Sequence, residues 1–88
     1  MIVPDSPTPA RLVDHDGELI RPHGASLLVW LGTMTPKLLR ELMRQGARGA
    51  VRVEPSGGEA HDVWIQRCWY DVEHGRMVVH LKERGAPS

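Results

Sequence analysis

The chain has 88 residues, 11 cationic side chains against 11 carboxylates, four aromatic residues and one cysteine. That length accommodates one domain with a modest core and little room for a deep enclosed active site, which favours a binding or accessory protein over an enzyme. Net neutrality removes any whole-chain argument for nucleic acid or an anionic membrane surface, and a lone Cys68 excludes an internal disulfide or a cysteine-based zinc cluster, as expected in a reducing cytoplasm.

In chain order, the opening VPDSPTPA has prolines at 4, 7 and 9. They remove backbone donors and predict a flexible arm over 1–10. The start lacks the basic-then-apolar layout of a signal peptide, and the longest apolar run, LLVWL at 27–31, is far shorter than a membrane span. In RLVDHDGELIR, Asp16-Gly17 suits a type I′ turn and predicts a β-hairpin over about 11–21. SLLVWLG predicts a central strand, because Val29 and Trp30 favour extended backbone and Gly32 interrupts.

MTPKLLRELMRQG carries the clearest signals. Thr35 as N-cap, Pro36 in the first turn and Gly46 as the stop predict a helix over about 36–45. Met34 and Leu39 stand in hydrophobic-staple positions. Leu38, Leu39, Leu42 and Met43 form one apolar stripe, expected to face the core. GAVRVEP predicts a strand with Val51 and Val53 inward, and SGGEA a loop.

WIQRCWYDVEHGRMVVHLK reads as a closing hairpin. A two-residue turn at His74-Gly75 pairs Trp69 with His80 and gathers Cys68, Tyr70, Val72, Met77, Val79 and Leu81 on one apolar face. Trp69 then lies on the other face with Arg67, Val78, His80 and Lys82. It is either a contact residue for a partner or the floor of a second small core under the N-terminal hairpin.

These elements predict an α+β fold: a mainly antiparallel sheet with one amphipathic helix packed on one face, in the order ββ-β-α-β-ββ, over 11–84, with a frayed tail at 85–88. Strands flanking the helix, if parallel neighbours in one sheet, would need a right-handed crossover.

Catalytic and metal motifs are weak. His15-Asp16 and His61-Asp62 resemble paired metal ligands only in composition, since one pair falls in a predicted turn and the other at a strand edge. Cys68 is expected to be a buried inert thiol, with His80 pointing away from it. GARGAV follows a helix and enters a strand, the reverse of a phosphate-cradling loop. Asp14, Asp16 and Glu18 lack calcium-loop spacing. No cofactor, metal or catalytic residue is therefore expected.

Charge is unevenly distributed. Residues 1–20 carry Arg11 against Asp5, Asp14, Asp16 and Glu18, a net of −3, whereas 36–52 carry Lys37, Arg40, Arg44, Arg48 and Arg52 against Glu41, a net of +4. The expectation is a non-enzymatic protein-interaction module in which Trp69, His80, Arg67 and Lys82 contact a protein partner, either a different protein or another copy of the chain. The alternative is nucleic-acid binding through Lys37, Arg40, Arg44, Arg48 and Arg52, without a recognisable helix-turn-helix layout. Arg outnumbers Lys 9 to 2, and Phe and Asn are absent. That bias suits a high-GC bacterium, and a short chain of this kind suits an accessory or inhibitory protein of a phage or mobile element.

Overall fold

The computed structural model describes residues 7–12, 14–22, 27–45 and 50–83. The elements are β1 (Thr8–Leu12), β2 (His15–Ile20), β3 (Leu27–Gly32), α1 (Pro36–Gln45), β4 (Ala50–Pro55), β5 (His61–Asp71) and β6 (Arg76–Glu83), in the expected order. The strands do not form an open sheet with a helix laid on it. They close into a barrel in the order β1-β2-β3-β6-β5-β4, and every ladder is antiparallel. Two three-strand meanders, β1-β2-β3 and β4-β5-β6, join along β3–β6 and β1–β4. The strands flanking the helix are not neighbours, so no parallel crossover arises. Closure removes the edges that an open sheet would leave unpaired.

Alternation along the strands fills the barrel. Leu12, Trp30, Val53, Val63, Val79 and Leu81 are fully buried in one cluster. Val51 and Val53 point inward as expected.

The first hairpin forms, but its turn lies earlier than expected. Leu12 pairs with His15 and Ala10 with Gly17, so Asp16 and Gly17 belong to β2. This register puts Ala10, Leu12 and Leu19 on the buried face. The strand also starts at Thr8, within the stretch expected to be an arm. Pro9 has no N–H to donate, but its carbonyl accepts the Ser56 N–H, just past the end of β4, at 2.8 Å.

Gly17 is needed for space rather than for a turn. It pairs with Gly32, and a Cβ at either glycine would overlap the Trp30 indole. At Gly17 the Cβ would also meet the Leu31 carbonyl at 2.5 Å, a backbone neighbour that cannot rotate away. Gly17→Ala is therefore expected to destabilise by about 1 to 3 kcal/mol through overpacking, measurable by denaturant titration. An unchanged midpoint would show that the indole does not occupy this space.

The helix occupies 36–45 as the capping signals indicate, and Thr35 Oγ1 accepts the Leu38 N–H at 3.0 Å. Gly46 lies outside the described residues. The stripe expected to face the core divides. Leu38 and Leu42 are buried in the barrel cluster, whereas Leu39 and Met43 are exposed, as is Met34. The helix meets the core over a narrow line, Leu38 and Leu42, which leaves Leu39 partly and Met43 largely uncovered among the described residues.

Candidate interaction surface

The β5–β6 hairpin differs from the expected one in a way that preserves its faces. Asp71 pairs with Arg76, Tyr70 with Met77, Trp69 with Val78 and Cys68 with Val79. The register is displaced by two residues, so each residue from Arg67 to Lys82 keeps its side. The connection is a four-residue loop over 72–75 rather than a two-residue turn. The ladder ends at the Asp71–Arg76 pair, and Gly75 takes the positive φ, 64°, that the return into β6 requires.

Asp71 organises this loop. Its carboxylate accepts the His74 backbone N–H at 3.3 Å, meets His74 Nδ1 at 2.8 Å and lies 3.6 Å from Arg76 Nε. Desolvation pushes the Asp71 carboxyl up, but the hydrogen bonds from the His74 side chain and backbone, with the charges of His74 and Arg76, outweigh it and hold the carboxyl below its ordinary value. Asp71, Glu73 and His74 bring potential ligating atoms within 4.8 Å of one another. The turn accounts for that arrangement.

On the inward side of the hairpin, the expected apolar face is only half buried. Met77, Val79 and Leu81 are covered, whereas Tyr70, Val72 and Cys68 are exposed. Among the described residues β4 pairs with β5 only from His61 to Trp64. The hairpin therefore extends beyond the part of the barrel that has a core beneath it. Cys68 is an exposed thiol, not a buried one.

A bulge builds the outer face. Trp64 pairs with Lys82 and Ile65 with Leu81, but the next pair is Arg67 with His80, which leaves Gln66 as the extra residue. Without it, Trp64 and Trp69, five positions apart, would point to opposite sides. With it, Trp64, Arg67 and Trp69 all face outward. The sequence reading missed Trp64, and its only available signal was the break in alternation at IQRC.

The outward side continues across neighbouring strands in three rows. Trp69, Val78, Leu31 and Glu18 form one, Arg67, His80, Val29 and Ile20 the second, and Trp64, Lys82 and Leu27 the third. Leu31 and Val78 are buried beneath this surface, while Trp64 and Trp69 remain 41% and 37% exposed. Arg67 Cζ lies 4.9 Å from the Trp69 ring centroid, and the His80 ring meets Trp69 edge-on at 4.7 Å. Lys82 belongs to the same face but lies opposite Trp64. An open groove runs along Trp64, Gln66, Arg67 and Lys82.

Trp69 is thus neither wholly exposed nor the floor of a core covered by the N-terminal hairpin. It is a shelf on Val78, with Arg67 against it. Trp69→Ala is expected to cost about 1 to 3 kcal/mol, from the aromatic pair, the cation–π contact and partial burial, as read by thermal and denaturant melts. A cost near that of a fully buried tryptophan would contradict the observed exposure.

Burial, followed by the nearby Arg67 charge, lowers the His80 pKa below its ordinary 6.5. The unfolded chain then binds the proton more readily than the folded one. Stability should rise with pH through the window just below 6.5, and fall as acid protonates the unfolded His80 first. His80→Gln should flatten that part of a stability-against-pH curve. The same slope in the variant would assign it to another group.

The alternative cationic surface is less available. Arg44 is held by Glu41 at 2.7 Å through both carboxylate oxygens, and Arg52 by Asp62 at 3.3 Å. Lys37 and Arg40 are exposed on α1, and Arg48 lies outside the described residues. Among the described residues no helix is long and apolar enough to cross a membrane. The chain matches no family model, no curated protein and no solved structure.

Proposed function

We propose that the chain is a non-enzymatic protein-interaction module acting through the outer face of β5 and β6, as an accessory or inhibitory protein would. The observation that carries this reading is the Gln66 bulge, which puts Trp64 and Trp69 on one side of β5 with Arg67 between them. Tryptophan and arginine are the side chains most enriched at energetic centres of protein contacts. The adjoining surface is apolar, as a contact needs, with Ile20, Leu27 and Val29 half-buried beside the tryptophans.

Nucleic-acid binding by the helix face is the weaker reading, because two of its five cations are already paired with carboxylates. The test is affinity capture from a bacterial lysate with the parent chain, Trp64→Ser, Trp69→Ser and the helix variant Lys37→Glu/Arg40→Glu as baits. Capture that the tryptophan variants lose and the helix variant keeps supports the outer face. The opposite pattern overturns it.

A further inference from the structure

Taking the outer face as a protein-contact surface, we infer that its partner is a second copy of this chain, packed face to face about a two-fold axis parallel to the strands and passing between β3 and β6.

The charge layout selects this arrangement. Across the face the strand order is β2-β3-β6-β5. Glu18 stands on β2, Arg67 on β5 and Lys82 on β6, with Ile20, Leu27, Val29, Leu31 and Val78 among them. Rotation about an axis along the strands keeps a residue's row and reverses the strand order. It lays β2 of one copy on β5 of the other, and β3 on β6. Glu18 then reaches the Trp69 and Arg67 end of the opposite copy, Ile20 lies against the Arg67 stem, and Leu27 against the Lys82 stem, whose methylenes cover apolar surface well. The axis at right angles would set β5 on β5 and bring Arg67 against Arg67. Like charges disfavour that dimer, whereas the like pair that the axis along the strands sets together, Asp16 and Asp71, has each carboxylate beside a cation of its own chain, Arg11 at 3.8 Å and Arg76 at 3.6 Å.

A second observation points the same way. Arg11, Arg21, Arg44, Arg52 and Arg76 each meet a carboxylate within 4.0 Å. Glu18 and Arg67, like Lys37, Arg40, Glu54, Glu59 and Glu73, form no ion pair among the described residues, so the contact between copies gives both Glu18 and Arg67 an opposite charge.

The size of the face sets the strength. Strands about 4.8 Å apart and same-face rows about 6.8 Å apart give a patch on the order of 400 Å² per copy. That is roughly half of the 800 Å² per partner in a standard stable complex. The dimer is accordingly weak and concentration-dependent, with a dissociation constant in the micromolar range or above.

Sedimentation equilibrium from about 10 μM to about 1 mM, a range that brackets weak association, tests this. The expected result is a mass rising from one chain toward two, with Trp64→Ser, Arg67→Glu and Glu18→Arg each weakening association by about tenfold or more, and Glu18→Arg/Arg67→Glu recovering most of the loss. Circular dichroism accompanies each variant, and Arg67→Gln, which removes the charge without reversing it, replaces Arg67→Glu if the latter fails to fold. A one-chain mass throughout, or a double variant no better than the singles, overturns the second-copy inference. It leaves the protein-contact reading to the capture result. A monomer that binds a labelled oligothymidine and loses that binding in Trp64→Ser assigns the face to single-stranded nucleic acid, which overturns both.

Discussion

Trp30→Ala is expected to lower the unfolding free energy by about 3 to 5 kcal/mol, a large part of the margin available to a domain of this length. Trp30 is fully buried and is the largest side chain in the barrel. Its ring fills the space that Gly17 and Gly32 leave open on adjacent strands. Truncation removes the apolar contact area and leaves a void that the hydrogen-bonded strands cannot collapse to fill. The buried indole Nε1 has no hydrogen-bond partner among the described residues, so part of the side chain's gain is offset by an unsatisfied donor. Trp30→Phe removes that donor while keeping a ring, and should cost well under the alanine variant. Urea denaturation of both variants and the parent checks the order, and equal losses would contradict it.

Leu42→Ala is expected to cost about 2 to 5 kcal/mol, and Met43→Ala less than about 0.5 kcal/mol. The two residues are neighbours on the same helix and both belong to the apolar stripe read from the sequence. Leu42 is 3% exposed and Met43 is 73% exposed. Helix propensity favours alanine slightly over either residue, so the contrast reports burial alone. Similar losses at both positions would mean that the helix buries its whole stripe.

The elements themselves were legible because their signals are local. Thr35 and Pro36 fix the start of the helix through capping, and Val51 and Val53 mark an inward face by alternation. Closure was not legible, since it depends on the β1–β4 and β3–β6 ladders, which join residues far apart in sequence. Gly17 illustrates the limit of local reading. Asp-Gly is a sound turn signal, yet the glycine is required by an indole on the neighbouring strand. The closing hairpin shows another limit. A displacement of two residues leaves side-chain direction intact, so Trp69, Arg67, His80 and Lys82 were placed on the correct face from a turn that does not form. Cys68 and Tyr70 were misplaced because inward direction means burial only where a core lies beneath the strand. Trp64 was missed because one extra residue, Gln66, reverses the alternation, and a bulge has no strong compositional mark.

Interstrand backbone NOEs in the hairpin test the central claim, that the Gln66 bulge brings both tryptophans onto one outer face. The expected contacts connect Trp64 with Lys82, Ile65 with Leu81 and Arg67 with His80, with Gln66 opposite no residue of its own. A continuous register that sets Gln66 opposite Leu81 and Ile65 opposite Lys82 would turn Trp64 to the inside and contradict it.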